Sequence, residues 1–105
     1  MIIVLKACQR ELQQFPEEIR GALADALARL DAGLTLAMPL SRPMSSIGSG
    51  VHELRLTDRS GLYRIVYALI ERGSVYVLHA FKKKTQATPK KNLELAQKRL
   101  KEIKS

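Results

Sequence analysis

The chain has 105 residues, which is enough for one domain and too few for two of ordinary size. A hydrophobic content of 46% is sufficient for a folded core and excludes wholesale disorder. Lys and Arg number 18 against 10 Asp and Glu, which gives a formal net charge of +8 at pH 7. We therefore predict a single basic domain over residues 1–105.

The first half is predicted to contain a strand, helices and a loop. Ile2 to Leu5 form a short β-branched run that is typical of a buried strand, and residues 8–14 can add one or two helical turns. Apolar residues at spacings of three and four predict an amphipathic helix from about 16 to 32. Pro16 is favourable in the first turn of this helix, and Gly33 is favourable at its C-terminal end. Residues 34–50 are rich in Pro, Ser, Gly and Met and indicate a loop, whose mobility stays open.

The second half is predicted to be a three-stranded antiparallel meander followed by a helix. Strand patterns cover residues 51–57, 62–70 and 74–81, with turn signals between them. Thr88 can cap a last helix that begins at Pro89 and buries an apolar stripe. The predicted fold class is α+β: a small antiparallel sheet, made of the N-terminal strand and the meander, packed against N-terminal helices and a C-terminal helix.

The positive charge is concentrated at the C-terminal end. Residues 1–81 carry nine basic and eight acidic side chains, whereas residues 82–105 carry nine basic and only two acidic ones. A clustered basic segment favours a polyanionic partner such as nucleic acid, an acidic protein or an anionic membrane surface. Lysine-rich helix faces are also common as solvated surface, so both interpretations stay open here.

Cysteine and histidine usage argues against two kinds of site. The single cysteine, Cys8, cannot form an internal disulfide, and the two histidines come without any CxxC or other zinc spacing. We expect neither a structural metal nor a cofactor. The first apolar run ends at Lys6, well short of a signal-peptide core or a spanning helix. A reducing, cytoplasmic location without membrane association is the expectation.

The turn at 58–61 allows the two faces of the sheet to be assigned. The apolar residues of the first two meander strands share one face only if paired residue numbers sum to an odd value such as 119, since a one-residue slip moves every side chain across the sheet. This register places Arg55 opposite Arg64 and Glu53 opposite Val66, on the face away from the helices. Two facing arginines repel, which indicates an anion between them. That anion is either Glu53 itself or a bound phosphate, which a guanidinium pair suits well.

The third meander strand runs directly into Lys82–Lys84, which adds cations at the end of the sheet that carries the arginines. Simple alternation gives His79 and Phe81 one face of this strand and Leu78 and Ala80 the other. Both faces are apolar, so the pattern does not decide which one points outward. Phe81 is therefore a core residue or a platform for a base, and His79 a buried structural residue or a reserve catalyst.

Three segments together resemble a known family: VHELRL at 51–56, GLYRIVY at 61–67 and VLHAFKKKTQATPKKNLELAQKR at 77–99. They look like the phage-derived HigB-like branch of the RelE/ParE toxin superfamily. The resemblance is strong over about 51–100, while the first half matches in the order of its elements. It implies a RelE-like fold and a toxin of a bacterial type II toxin–antitoxin pair.

The resemblance also implies an activity, a site and partners. Such toxins are mRNA endoribonucleases that need no metal and typically act while the message occupies the ribosomal A site. The resemblance implies catalytic roles for the residues at the matching motif positions: Glu53, Arg55, Arg64, Lys83 and Lys84. It implies RNA-binding roles for four more residues: His79, Phe81, Lys82 and Thr85. The implied partners are mRNA, the ribosome and a helix-turn-helix antitoxin of the HigA type.

The chemistry needs few protein groups, because RNA supplies its own nucleophile. The enzyme aligns the 2′-hydroxyl with the phosphate, moves protons and stabilises the phosphorane. Arg55 and Arg64 suit the phosphorane, while Glu53 or a lysine of 82–84 suits proton transfer. No Tyr or His follows His79, unlike in some relatives, so the general base and acid stay unassigned. The alternatives are a ParE-like inhibitor of DNA gyrase and a non-catalytic nucleic-acid-binding module.

Overall fold

A computed structural model describes residues 1–71, 73–84 and 88–104. Within these ranges the chain forms five strands and three helices around one mixed sheet. In chain order the elements are β1 (Ile2–Val4), α1 (Lys6–Gln13), α2 (Glu17–Asp31), β2 (Ser41–Pro43), β3 (Val51–Asp58), β4 (Gly61–Glu71), β5 (Ser74–Lys83) and α3 (Lys90–Lys104). The α+β class, both predicted helices and the three-stranded meander are confirmed.

The sheet has the order β1-β5-β4-β3-β2. It departs from the predicted sheet in two ways. First, β1 pairs with β5 in parallel, so the sheet is mixed and not wholly antiparallel. Second, the segment predicted as a loop contains β2, a three-residue strand that pairs with β3 at the sheet edge. Its sequence, Ser-Arg-Pro, has no apolar alternation, and Pro43 is tolerated because the strand lies at an edge.

The register of the β3–β4 hairpin is the one that the apolar pattern predicts. Arg55 is paired with Arg64 and Glu53 with Val66, through a two-residue turn between Asp58 and Gly61. The Asp58 carboxylate fixes this turn by accepting a 2.8 Å hydrogen bond from the backbone N–H of Ser60. The predicted juxtaposition of the two arginines is therefore confirmed.

Each face of the sheet carries a separate core. On the α2 face, apolar residues of α1, α2 and three strands are buried together; they include Ile19, Leu23, Leu54, Ile65 and Tyr67. On the α3 face, apolar residues of three strands pack against α3; they include Val66, Leu78, Phe81, Ala96 and Leu100. Because α3 lies on the second face, the prediction that the arginine face points away from all helices is wrong. That face is shared between α3 and the charged residues.

A β-bulge in β5 changes which side chains share a face. Val66 is paired with His79, but the next residue of β4, Tyr67, is paired with Val77, so Leu78 is an extra residue. As a result, Leu78 and Phe81 both lie in the α3-face core, whereas Ala80 lies in the α2-face core. Simple alternation wrongly groups Leu78 with Ala80.

The loop after β2 is attached firmly to α3. Ile47 is buried in the α3-face core, and Gln97 donates a 2.8 Å hydrogen bond to the backbone oxygen of Ser46. Gly48 packs so closely that a Cβ atom there would lie 2.6 Å from Leu100 Cδ2. The loop is therefore held in one position between the sheet and the helix.

A partly buried polar network also ties α3 to α1 and β5. Arg99 Nη1 and Nη2 donate to the two carboxylate oxygens of Glu11, at 2.8 and 3.1 Å, and the backbone N–H of Ala80 donates to Oε1 at 3.1 Å. His79 Nδ1 lies 3.0 Å from the same carboxylate, and its Nε2 lies 2.6 Å from Asn92 Oδ1. Both ring nitrogens of His79 are thus engaged inside the protein.

We expect Glu11→Gln to destabilise the fold by about 3 kcal/mol at pH 7. Burial alone would raise the pKa of Glu11, but hydrogen bonds from His79 and Arg99 lower it to about 2. Because the pKa of Glu11 is lower in the folded state than the ordinary value of 4.5, its ionised form stabilises the fold at pH values above 4.5. This contribution to stability is lost as the pH falls from 4.5 towards 2. Urea unfolding at pH 7 and pH 3 measures the effect, with Asp25→Asn on exposed α2 as control. An equal loss at both pH values would contradict it.

Candidate functional site

Four basic side chains from four strands meet on the α3 face. They are Arg42 on β2, Arg55 on β3, Arg64 on β4 and Lys83 on β5. The positive charges of all three arginines lower the pKa of Lys83. Together with Glu53 on β3 the four side chains form what we call the basic cluster. Four positive charges and one negative charge leave the basic cluster with a net charge of +3. Such an excess on one small area favours a multiply charged anion.

Arg64 is the most buried cation of the basic cluster. Its side chain is 5% exposed and that of its neighbour Glu53 is 2% exposed. The 3.6 Å between Arg64 Nε and Glu53 Oε1 makes them an ion pair but is too long for a good hydrogen bond. Arg64 Nη1 donates to the backbone oxygen of Tyr63 at 3.1 Å. The guanidinium is therefore held in place while part of its donor capacity stays unused.

The Nε atoms of Arg55 and Arg64 are buried and have no hydrogen-bond partner among the residues that the structure describes. A buried donor without an acceptor costs about 1–3 kcal/mol, and more when the group is charged. Both arginines line one side of a cleft of about 420 Å³, which we call the Arg55–Arg64 cleft. Pro39, Leu40 and Thr57 complete its lining. Two donors that make no hydrogen bond with the described residues thus belong to side chains that line a cleft.

Glu53 is fixed from two sides. Its Oε2 accepts a 3.1 Å hydrogen bond from the hydroxyl of Thr88, and its Oε1 faces Arg64. The sequence predicts only a helix-capping role for Thr88, yet its hydroxyl is directed to the basic cluster. Glu53 therefore orients Arg64 and also connects the basic cluster to the segment that leads into α3.

Lys83 has an environment that is unfavourable to its charged form. It is 8% exposed, and burial is the main cause that lowers the pKa of its amine. The positive charges of Arg64, Arg55 and Arg42 lower the pKa further, and Glu53 opposes them. A lysine with a lowered pKa releases its proton more readily and can take part in proton transfer.

The other two lysines of the run lie elsewhere. Lys82 is paired with Tyr63 on the α2 face, and its ammonium group lies 5.8 Å from the centre of that ring. Lys84 is exposed just beyond the end of β5. Thr85, another predicted RNA-binding residue, lies outside the described residues. Of the three consecutive lysines, the structure brings Lys83 into the basic cluster.

The two aromatic candidates for RNA binding are core residues. Phe81 is paired with Arg64 but is buried in the α3-face core, and its ring stacks on His79 with centroids 5.3 Å apart. His79 is 4% exposed and held by Glu11 and Asn92. Neither ring is available to a base, so the expectation that Phe81 or His79 contacts RNA is corrected.

Two residues of the site were missed by sequence reasoning. Arg42 is paired with Glu53 across the β2–β3 ladder, but a strand of three polar residues gives no periodic signal. Thr88 stands before Pro89, where a capping role is the ordinary expectation. Only the tertiary structure brings both of them to Glu53.

Two further findings concern metals and membranes. Among the described residues, no group of three or more Cys, His, Asp or Glu side chains could hold a metal ion. In the same part of the chain, no helix has the length and apolar character that crossing a membrane requires.

Comparisons with known proteins agree with this fold. The family described as "Phage derived protein Gp49-like (DUF891)" matches residues 10–101. No curated protein gives a significant match. Among solved structures, a free-state mutant of the E. coli toxin RelE is similar, with a TM-score of 0.53 and 18% sequence identity over 98% of this chain and 96% of that one. The chain has a RelE-like fold and belongs to the Gp49-like family of phage-derived proteins, a family of RelE/HigB-like toxins.

Proposed function

We propose that this protein is the toxin of a type II toxin–antitoxin system and cleaves mRNA on the ribosome without a metal ion. The observation that carries the proposal is the pair of buried arginine Nε donors beside the Arg55–Arg64 cleft, neither of which makes a hydrogen bond with the residues that the structure describes. A phosphodiester has the charge and the oxygen geometry that a pair of guanidinium groups binds best. The family supports the toxin role.

In this mechanism the scissile phosphate occupies the Arg55–Arg64 cleft. The adjacent 2′-oxygen attacks phosphorus, the bond from phosphorus to the 5′-oxygen breaks, and the products are a 2′,3′-cyclic phosphate and a 5′-hydroxyl end. Negative charge develops on the phosphorane oxygens, where Arg55 and Arg64 donate hydrogen bonds. The arginines are already fixed by strand pairing, so little reorganisation is needed.

Lys83 and Glu53 have different roles in this proposal. The neutral amine of Lys83 accepts the proton of the 2′-hydroxyl, and the departing 5′-oxygen takes a proton from solvent. Glu53 is a positioning residue, since both of its oxygens face protein groups and its side chain is buried. Lys84 has an exposed position from which it can contact the RNA backbone.

The proposed partners are mRNA, the ribosome and a HigA-like helix-turn-helix antitoxin, in the cytoplasm. Neutralisation then requires the antitoxin to cover the basic cluster or to keep the protein away from the ribosome. An acidic antitoxin segment would complement the charge of +3 at the basic cluster.

Expressing the chain and mapping mRNA 5′ ends during translation tests the proposal. We expect new 5′-hydroxyl ends within translated messages, and their loss when translation initiation is blocked. Intact messages accompanied by gyrase-linked DNA breaks would contradict the ribonuclease and indicate a ParE-like activity instead. Intact messages and intact DNA would leave a non-catalytic nucleic-acid-binding module.

A further inference from the structure

Glu53 lies among cations, yet it does not close on the nearest one. Arg42 is paired with it across the β2–β3 ladder, and its negative charge raises the pKa of Lys83. A carboxylate beside a guanidinium group frequently forms short hydrogen bonds with it. Here Arg64 Nε and Glu53 Oε1 are 3.6 Å apart, so these two atoms form an ion pair without a good hydrogen bond.

The gap between Arg64 Nε and Glu53 Oε1 is small compared with what its closure would gain. A good N–H···O bond has a length of about 2.9 Å, so a shift of about 0.7 Å from the observed 3.6 Å would form one. Hydrogen bonds between ionised groups are roughly twice as strong as neutral ones. Closure would also give an acceptor to a buried donor that makes no hydrogen bond with the described residues. Local energetics therefore favour a closed pair, and the open pair needs a restraint.

Thr88 supplies such a restraint on the carboxylate. Its hydroxyl donates a 3.1 Å hydrogen bond to Glu53 Oε2, while Oε1 is the oxygen that faces Arg64. Thr88 belongs to the segment that leads into α3, whereas Arg64 belongs to β4. The hydroxyl therefore ties the carboxylate to a different part of the fold from the one that carries the guanidinium group.

The hydroxyl of Thr88 is not placed to cap α3. The helix begins at Lys90, and the oxygen of Pro89 accepts its first backbone hydrogen bonds. Pro89 thus occupies the capping position, and Thr88 precedes it. A capping threonine would accept a hydrogen bond from its own helix, whereas this side chain donates one to Glu53. The contact with Glu53 is therefore the role that the structure gives to this hydroxyl.

We propose that Thr88 is a positioning residue that keeps the Glu53 carboxylate from closing on Arg64. With the hydroxyl in place, the Nε donor of Arg64 stays available to a phosphate in the Arg55–Arg64 cleft. Without it, Glu53 moves onto Arg64 and takes that donor itself. The proposal rests on the function proposed above. Its consequence is that stability and phosphate binding are opposed at Thr88, as is common at functional sites.

Binding of uncleavable RNA tests this role separately from catalysis. We would titrate the full-length protein at low salt with one 2′-O-methyl trinucleotide and follow the Nε–Hε NMR signal of Arg64. We expect Thr88→Val to weaken binding about tenfold, because a charge-assisted donor is lost to Glu53. In this variant the Arg64 signal should show a hydrogen bond before RNA is added, and the unfolding temperature should not fall.

Two single variants serve as controls for Thr88→Val. Thr88→Ser keeps the hydroxyl and should retain the wild-type Kd. Thr35→Val makes the same chemical change at an exposed position between α2 and β2 and should have no effect. An unchanged Kd or an unchanged Arg64 signal in Thr88→Val, loss of binding in Thr88→Ser, or no binding by the wild type would each overturn the proposal.

The Thr88→Val/Glu53→Gln double variant shows whether Thr88 acts through Glu53. Glutamine has the shape of glutamate but lacks the charge that draws the side chain to Arg64. Thr88→Val should therefore change Kd by less than about twofold in the Glu53→Gln background, compared with about tenfold in the wild type. An equal loss in both backgrounds would mean that Thr88 does not act through Glu53.

Mapped cleavage of messages distinguishes this failure from failure of the ribonuclease proposal. If messages are cut and Thr88→Val cuts them at the wild-type rate, the positioning role is wrong and the ribonuclease stands. If messages stay intact while RNA binding depends on Thr88 through Glu53, the positioning role stands and the ribonuclease is wrong.

Discussion

Arg64→Ala is expected to lower the rate of mRNA cleavage by about 10²–10³-fold, as the loss of one preorganised donor to a developing anion does in other enzymes. The guanidinium of Arg64 donates a hydrogen bond to the backbone oxygen of Tyr63 and forms an ion pair with Glu53, so its direction is fixed. The measurement is single-turnover cleavage of a programmed message on ribosomes.

Two further variants make this test decisive. The Arg64→Ala change leaves the buried Glu53 carboxylate without its cation. We therefore add Arg64→Lys, which keeps the positive charge but removes the planar guanidinium group. We expect Arg64→Lys to unfold near the wild-type temperature and still lose most of the activity. Arg20→Ala on the exposed surface of α2 is the matched control. Full cleavage by a folded Arg64→Lys or Arg64→Ala variant would remove Arg64 from the site.

Lys83→Met is expected to lower cleavage by about 10²–10⁴-fold, the usual contribution of a general base. The pH dependence gives the sharper result. A base acts in its neutral form, so wild-type cleavage should rise with pH until Lys83 is deprotonated, at a pKa that burial and the arginines hold below the usual 10.5. Lys83→Arg should remove this rise, because arginine keeps its proton.

Single-turnover rates between pH 6 and pH 9 on the same ribosomes measure this dependence. Lys6→Met, at the exposed start of α1, is the control for a general loss of positive charge. A pH profile that stays the same in Lys83→Arg would show that Lys83 is not the base. The remaining role of Lys83 would then be electrostatic binding of the phosphate.

The arginine pair is the part of the site that the sequence could predict. Leu54 and Leu56 on one strand, and Tyr63 and Ile65 on the other, must share a core, and only one class of register satisfies this. Once that register is set, Arg55 and Arg64 are neighbours on the opposite face. The alternation of apolar residues is sufficient to predict this register because the two-residue turn does not allow one strand to shift along the other.

The rest of the site depends on contacts that the sequence does not encode locally. Arg42 reaches the basic cluster through an edge strand that is too short and too polar to show a pattern. Thr88 reaches it because α3 packs on the arginine face, and the amphipathic pattern of a helix does not tell which face of a sheet it covers. The network of Glu11, His79 and Arg99 likewise joins residues from three separate elements.

The bulge at Leu78 has a consequence for comparing relatives of this protein. If Leu78 were paired with Val66 in a regular ladder, every pairing beyond it would shift by one residue, and Lys82 would occupy the place on the α3 face that Lys83 now has. Two homologues of equal length, of which only one has the bulge, can therefore present different lysines of the same run to RNA. An alignment that matches the lysine run column by column would equate residues that lie on opposite faces of the sheet.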